Sequence, residues 1–341
     1  MNKKIIIGVV AVVALVLAVG GWYYVMMMST KKADTNQKTY HVGILAGADI
    51  FATITDGFKA QMTKLGYVEG KNVVYDVQSY NGDMAGYKNA AKKFVDEKAD
   101  LVLSFPTEPT FEVKAAAKAA GLNIPIVFVG DIEGVQLVDS IQKPGGTITG
   151  VRIGGIDGAV KSFELLKEVA PLAKRIYLIY DKNYPLTATA LTQSRALAKK
   201  LDLELVELAA ATPDDIIQDV SRRDALADPG VDAILLLPSI IVSIPPTWGP
   251  ITAFAEKHKL PIAGRGGDAI NTGALFVLIP ENEEMGALAA DEAAKVLQGT
   301  PAGSIPVESA VLRLMVNTKQ GEAIGMSIPE GFLSKADKIV H

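Results

Sequence analysis

The stretch LVDSIQKPGGTITGV, residues 137–151, interrupts a chain that otherwise alternates apolar runs with helix-forming segments. A Pro-Gly-Gly turn at 144–146 is followed directly by Thr-Ile-Thr-Gly-Val, a short β-branched run with no helical segment before it. We interpret this stretch as a crossover strand, where one lobe ends and another begins, with glycines suited to a hinge. The alternative is a β-turn that leads to an edge strand within one domain.

The segments on both sides of this stretch follow the same plan. Before it, YHVGILAG, NVVYDVQSY, ADLVLSF and IPIVFVG alternate with helix-like segments, and the alternation restarts after it with RIYLIYD, ELVELAA, VDAILLLPS and LPIAGRG. This order predicts parallel strands with right-handed crossovers and helices on both faces of each sheet. A chain of 341 residues also exceeds the size of about 250–300 residues at which a single core tends to divide. The sequence therefore predicts an α/β protein with two doubly wound parallel-sheet lobes.

The N-terminal segment has a different character. Residues 5–28 contain no charged side chain, and at about 1.5 Å per residue they are long enough to cross a hydrocarbon layer of about 30 Å. We expect residues 1–28 to include a transmembrane helix that anchors the protein, and residues 29–38 to form a polar tether. The small residues at 18–20 leave a cleaved signal peptide as the alternative, which would give a secreted or periplasmic protein.

Composition and motifs exclude several classes of function. A net charge of −4 without clustered basic residues gives no basis for binding nucleic acid. The absence of cysteine excludes disulfides, thiolate sites and a lipidated cysteine. His41, His258 and His341 have no metal-ligand partner at helical spacing, so no metal site is predicted. No GxGxxG, GxxxxGK[ST] or GxSxG motif occurs, and the sequence therefore predicts neither a cofactor nor a catalytic site.

The loops that follow the predicted strands are the expected ligand site, because ligands of open parallel sheets bind beyond the carboxyl ends of the strands. These loops carry acidic, hydroxyl and aromatic side chains, which suit an ammonium group attached to an apolar body. For Thr107 a helix cap, and for Phe105 the end of a core strand, are the structural alternatives. The predicted ligand-binding residues are Asp49, Phe51, Phe105, Thr107, Glu108, Asp131, Asp181, Asn183, Tyr184, Ser239 and Asp268.

Several segments together resemble a known family. KLGYVEGKNVVYDVQ (64–78), IPIVFVGD (124–131), KPGGTITGV (143–151), FELLKEVAPLAKRIYLIYD (163–181) and the C-terminal stretch 305–340 resemble the substrate-binding proteins of ABC transporters, in the group related to tryptophan and tyrosine uptake. The resemblance implies the type I periplasmic-binding-protein fold, with two lobes joined by a three-strand hinge.

The resemblance also implies domain boundaries. The chain is expected to cross between lobes near 149–154, 262–268 and 304–312. The first lobe then comprises residues 39–150 plus 269–303, and the second comprises 151–268 plus 304–341.

In function, the resemblance implies a monomeric, non-enzymatic solute-binding component of an ABC importer, at the extracytoplasmic face of the cell membrane. Its two lobes would trap an amino acid or another amine-bearing molecule, aromatic ones included, and deliver it to a permease driven by a cytoplasmic ATPase. A sensory ectodomain that is not coupled to transport, and a hydrolase or isomerase using cleft carboxylates, are the alternatives. The chain departs from the family in lacking a lipid-attachment cysteine, so residues 5–28 would provide the tether, and Glu108 is expected to alter ligand preference.

Overall fold

The computed structural model describes residues 38–341, together with Gly20 and Trp22. The predicted anchor and tether therefore lie almost entirely outside the described residues. Among the helices that the structure describes, none combines the length and the apolar character needed to cross a membrane. The architecture below concerns Tyr40–His341.

The strands of the described part divide into two sheets. In chain order they are β1 (Tyr40–Ala46), β2 (Val73–Ser79), β3 (Leu101–Phe105), β4 (Ile126–Gly130), β5 (Ile148–Arg152), β6 (Arg175–Asp181), β7 (Glu204–Ala210), β8 (Ala233–Leu236), β9 (Ile262–Gly264), β10 (Phe276–Ile279), β11 (Glu308–Ser309), β12 (Arg313–Asn317) and β13 (Lys338–Val340). The first sheet has the order β11-β5-β4-β3-β1-β2 and the second β13-β12-β10-β9-β8-β6-β7. Within them, the β10–β12 pair is antiparallel and the other named pairs are parallel.

The helices cover both faces of each sheet. In chain order they are α1 (Ala52–Lys64), α2 (Met84–Asp96), α3 (Thr107–Ala119), α4 (Gly155–Val169), α5 (Thr187–Lys200), α6 (Pro213–Asp224), α7 (Pro245–His258), α8 (Asn282–Leu297), α9 (Thr318–Ala323) and α10 (Glu330–Leu333). Short 3-10 turns occupy Asp49–Phe51, Gly267–Asn271 and Ala302–Ser304.

Each sheet has a hydrophobic core on each of its faces. In β1, Ile44 packs with α1 and α8 whereas its neighbour Leu45 packs with α2 and α3. In β6, Leu178 and Ile179 likewise belong to different cores, the first shared with α4 and α5 and the second with α6 and α7. Burial on both faces explains why strands such as β3 and β4 are continuously apolar or small. The prediction of two α/β lobes with largely parallel sheets is confirmed.

The chain passes between the lobes at three places. It enters the second lobe after β5, through residues 153–154, and returns to the first after β10, through 280–281. Helix α8 then packs against α1 and the first sheet. After β11 the chain enters the second lobe again through 310–312.

The second crossing differs from the expected one. Residues 262–268 do not leave the second lobe, because the short turn after β9 brings β10 alongside it, with Phe276 opposite Ala263 and Val277 opposite Gly264. The expected first-lobe segment 269–303 therefore needs one correction, because β10 belongs to the sheet of the second lobe. The expected second-lobe segment 304–341 needs another, because β11 pairs with β5 in the first lobe, where Glu308 lies opposite Val151.

The Pro-Gly-Gly turn at 144–146 lies before the first crossing and not at it. It precedes β5, which lies between β4 and β11 in the first sheet, so the turn is still inside the first lobe. The Gly145 N–H donates to the Gly303 carbonyl at 3.0 Å. A Cβ built on Gly303 would overlap the Gly146 carbonyl oxygen, so glycine allows the returning chain to approach the turn this closely. The crossing itself follows β5 directly.

Candidate functional site

A cavity lies between the two lobes, where the strand ends of both sheets and two of the crossing segments meet. Its empty space measures about 680 Å³, including the mouth that opens to solvent. The lining residues are Ile50, Phe51, Pro106, Glu108, Asp131, Ile153, Tyr184, Pro238, Ser239, Ile240, Ser243, Arg265, Gly266, Ile279, Pro280, Asn282 and Met285.

The structure brings five of the predicted residues together in this cavity: Phe51, Glu108, Asp131, Tyr184 and Ser239. The first three come from the first lobe and the other two from the second. Phe51 is held by an edge-to-face contact with Phe105, with ring centroids 6.4 Å apart. Tyr184 is buried, and burial, followed by the negative charges of Glu108 and Asp131, raises the pKa of its hydroxyl. Apolar walls and aromatic rings thus surround a small number of polar groups.

Three predicted residues of the first lobe lie beside the cavity and support its loops. Asp49 is exposed and accepts hydrogen bonds from Ser79 Oγ at 2.6 Å and Asn81 Nδ2 at 2.9 Å. Phe105 is fully buried in β3, as its structural alternative predicts. Thr107 is also buried, and its hydroxyl donates to the Asp131 carbonyl at 2.9 Å and accepts from the Asp131 N–H at 3.0 Å.

The remaining predicted residues belong to the second lobe and do not line the cavity. The Asp181 carboxylate accepts the Asn183 N–H at 2.8 Å and the Ser239 hydroxyl at 3.1 Å. Asn183 is exposed. Asp268 is exposed and lines a neighbouring depression together with Trp248.

Glu108 occupies the first turn of α3, and one of its carboxylate oxygens has no partner. Oε2 is buried and accepts no hydrogen bond from the described residues. Burial, together with the negative charges of Asp181 and Asp131, raises the pKa of Glu108 to about 7, although its own backbone N–H acts in the opposite direction. A carboxylate that loses water without gaining a partner is unfavourable, and it favours a cation or a hydrogen-bond donor beside it.

Asp131 lies directly after β4 and connects the lobes. Its Oδ1 accepts the N–H of Gly155, the first residue of α4, at 2.6 Å. Burial raises the pKa of Asp131 to about 6, against the lowering effects of the Gly155 N–H and the positive charge of Arg265. The negative charge of Asp131 is therefore stabilised by a backbone donor and by a nearby cation, whereas no cation in the part of the chain that the structure describes stabilises that of Glu108.

Arg265 is the main charged residue of the cavity that the sequence prediction missed. It follows β9, and its Nη1 donates to the Gly155 carbonyl at 3.1 Å. Burial lowers the pKa of its guanidinium, whereas the negative charge of Asp131 raises it, and an arginine stays charged in this setting. The sequence did contain a signal for Arg265: it is a basic residue directly after a predicted strand, and the loops after strands were expected to face the ligand.

Asn282 and Met285 were missed for a different reason. Both lie on α8, and they reach the cavity because the second crossing immediately precedes that helix. Only the position of the crossing could have indicated them. Among the described residues, no group of three His, Cys, Asp or Glu side chains is arranged to hold a metal ion.

Comparison with known proteins agrees with this architecture. The family model described as "ABC transporter substrate binding protein" matches residues 42–340. A tyrosine-binding protein of Clostridioides difficile is 30% identical over 283 residues, which cover 81% of this chain and 78% of that protein.

Two solved structures show the same fold. A conserved domain protein from Vibrio cholerae has a TM-score of 0.80 and 26% identity, covering 89% of this chain and 100% of its own. The ABC domain from Streptococcus pneumoniae, solved in complex with L-Trp, has a TM-score of 0.78 and 21% identity, with the same coverage of 89% and 100%. The family match, which spans both lobes, shows that the chain belongs to the ABC transporter substrate-binding protein family, a class of extracytoplasmic solute-binding proteins rather than enzymes.

Proposed function

We propose that this protein traps an aromatic amino acid or a related aromatic amine between its two lobes, as the solute-binding component of an ABC importer. The observation that carries the proposal is the presence of two opposite charges, Glu108 and Arg265, in the lining of one largely apolar cavity. Phe51 and Tyr184 bring an aromatic ring from each lobe to the same space. The relative from Clostridioides difficile that is named tyrosine-binding protein, at 30% identity, supports the same ligand class.

The cavity matches such a ligand group by group. The carboxylate of Glu108 faces the cavity as a site for an ammonium group, and the guanidinium of Arg265 offers donors to a carboxylate. Phe51 and Tyr184 provide surfaces for an aromatic side chain. Ser239, Ser243 and Asn282 add uncharged polar groups for a hydroxyl or an indole N–H. Of the predicted ligand contacts, the five that line the cavity, Phe51, Glu108, Asp131, Tyr184 and Ser239, remain the proposed contacts, with Arg265 added.

The proposed setting is the outer face of the cell membrane. We infer that residues 5–28 hold the protein there, by an uncleaved apolar segment, and that the loaded monomer docks on a permease coupled to a cytoplasmic ATPase. Membership of a substrate-binding family supports the transporter context. The uncharged length of residues 5–28 supports the anchor.

Isothermal titration calorimetry on the full chain in a mild detergent tests the ligand class. We expect at least one of L-Tyr, L-Trp and L-Phe to bind, and L-Leu to bind at least about tenfold more weakly, since its side chain cannot pair with the two rings. A hundredfold excess of ligand over Kd should also raise the free energy of unfolding by about 2.7 kcal/mol. Absence of both heat and thermal shift with all aromatic amino acids and aromatic amines would overturn the proposal.

A further inference from the structure

The charged side chains around the cavity differ in how well neighbouring groups compensate their charges. Arg265 faces Asp131 and already donates to the Gly155 carbonyl at 3.1 Å. Asp131 in turn accepts the Gly155 N–H at 2.6 Å. Each of these two groups therefore has a backbone partner at Gly155 and lies within the influence of the other's opposite charge before any ligand arrives.

Glu108 has less compensation, because in the described part of the chain only its own backbone N–H acts to stabilise its charge. Within the described residues it makes no ion pair, and its buried Oε2 accepts no hydrogen bond. The titratable groups that sense its charge are Asp181 and Asp131, which are negative, and Tyr87 and Tyr184, whose ionised forms would be negative. A cation is therefore the group missing from this part of the cavity.

We infer that Glu108 determines specificity by binding the ligand's ammonium group, so that the amine is obligatory for binding and the carboxylate is dispensable. This inference rests on the proposed function, and it narrows the substrate class to primary aromatic amines, with or without a carboxylate. An ammonium group supplies three donors, of which one would satisfy Oε2. The rings of Phe51 and Tyr184 lie in the same cavity and suit both the aromatic body and its cationic end.

Three probes separate the two ends of the ligand. L-Tyr carries both charged groups, tyramine lacks the carboxylate, and 3-(4-hydroxyphenyl)propanoate lacks the amine. For the wild-type protein we expect Kd values of L-Tyr and tyramine within about tenfold of each other, because Arg265 already donates to the Gly155 carbonyl and lies near the negative charge of Asp131. We expect the propanoate to bind at least about a hundredfold more weakly than L-Tyr, since it would place an anion near an unpaired carboxylate.

Glu108→Gln tests the residue itself. The variant keeps the shape of the side chain and removes its charge, so L-Tyr and tyramine should each lose about tenfold or more in affinity while the propanoate binds as well as before or better. Glu112→Gln is the matched control, because Glu112 is on the same helix and does not line the cavity. Circular dichroism and the thermal midpoint confirm that both variants are folded.

The outcomes separate the inference from the function on which it rests. If L-Tyr binds but the propanoate binds equally well, or if Glu108→Gln changes the affinities no more than Glu112→Gln does, the inference is overturned and the proposed function stands. A loss of more than about a hundredfold on going from L-Tyr to tyramine would also overturn it, since the carboxylate would then be required. If the wild-type protein binds no aromatic amino acid or amine, both the inference and the proposed function are overturned.

Discussion

Asp131 accepts a hydrogen bond of 2.6 Å from the backbone N–H of Gly155, so the end of a first-lobe strand is attached to the start of a second-lobe helix. The same carboxylate faces Arg265 in the cavity. The first crossing and the proposed ligand site are therefore built from shared residues, and a change at the crossing should alter binding.

Gly155→Ala should weaken ligand binding. A Cβ built at this position would overlap Asp131 Oδ2 and lie 2.8 Å from Arg265 Nη2, so the lobes could not approach as closely. Overpacking of this kind costs about 1–3 kcal/mol, which corresponds to roughly a five- to 150-fold increase in Kd. Calorimetry with L-Tyr measures the change. Gly331→Ala is the control, because nothing lies within 4 Å of its built Cβ, and equal affinities in the two variants would contradict the prediction.

Glu108→Gln should stabilise the unliganded protein. Burial raises the pKa of Glu108 from 4.5 to about 7, so the folded state resists its ionisation. For an acid with a raised pKa, the penalty is absent below pH 4.5, grows between about pH 4.5 and 7 and then stays constant. Its size is on the order of 3 kcal/mol at pH 8. Urea unfolding should show a higher free energy of unfolding for the variant than for the wild type at pH 8 but not at pH 4. A variant no more stable than the wild type at pH 8 would refute this account.

Affinity for an aromatic amine should fall as the pH decreases below about 7. The ammonium group favours ionised Glu108, whereas the free site with a pKa of about 7 holds a proton at lower pH. Binding must then release that proton, so the logarithm of the association constant should fall by about one for each pH unit below 7 and be nearly flat above it. Asp131, with a pKa of about 6, adds to the loss at lower pH.

Titrations of tyramine between pH 6 and 8.5 measure this dependence. Tyramine is the appropriate probe because it has no carboxylate that could respond to a change at Arg265. The dependence between pH 6 and 7 should be much smaller in Glu108→Gln. A wild-type affinity that is constant from pH 6 to 8 would be incompatible with the assigned role of Glu108.

Gly286→Ala should destabilise the first lobe. Helices α1 and α8 are in backbone contact there: a Cβ built on Gly286 would overlap the Ile54 carbonyl oxygen and lie 2.7 Å from the Phe58 nitrogen. We expect a loss of about 1–3 kcal/mol in the free energy of unfolding, measured with urea and circular dichroism. Gly249→Ala, in α7, is the matched helix control because its built Cβ has no neighbour within 4 Å. A Gly286→Ala variant as stable as this control would contradict the prediction, because it would show that the two helices can move apart without a loss in the free energy of unfolding.

The alternation of apolar and helical segments was sufficient to predict the two lobes, because strands covered on both faces by helices must be continuously apolar. It could not place β10 correctly. Phe276–Ile279 is a four-residue apolar strand that either sheet could have accepted. Its position depends on pairing with β9, which an irregular turn joins to it, and with β12, which is distant in sequence.

The candidate site was predictable to a similar degree. Loops after strands indicated Phe51, Glu108, Asp131, Tyr184 and Ser239, all of which line the cavity. Thr107 and Asp181 carry the same kinds of side chain, but they bind neighbouring loops instead, through the Asp131 backbone and the Ser239 hydroxyl. Which of two adjacent polar residues faces the cavity depends on tertiary hydrogen bonds that local sequence does not encode.

The late return of the chain to its first lobe bears on biosynthesis. Strands β1 to β5 leave the ribosome early, but α8 and β11, which cover and extend their sheet, are translated only after most of the second lobe. The N-terminal half therefore emerges with the apolar surface beneath α8 uncovered, and a nascent chain arrested after Ile279 would have neither lobe complete. Completion of both lobes is thereby tied to the same final stage of translation.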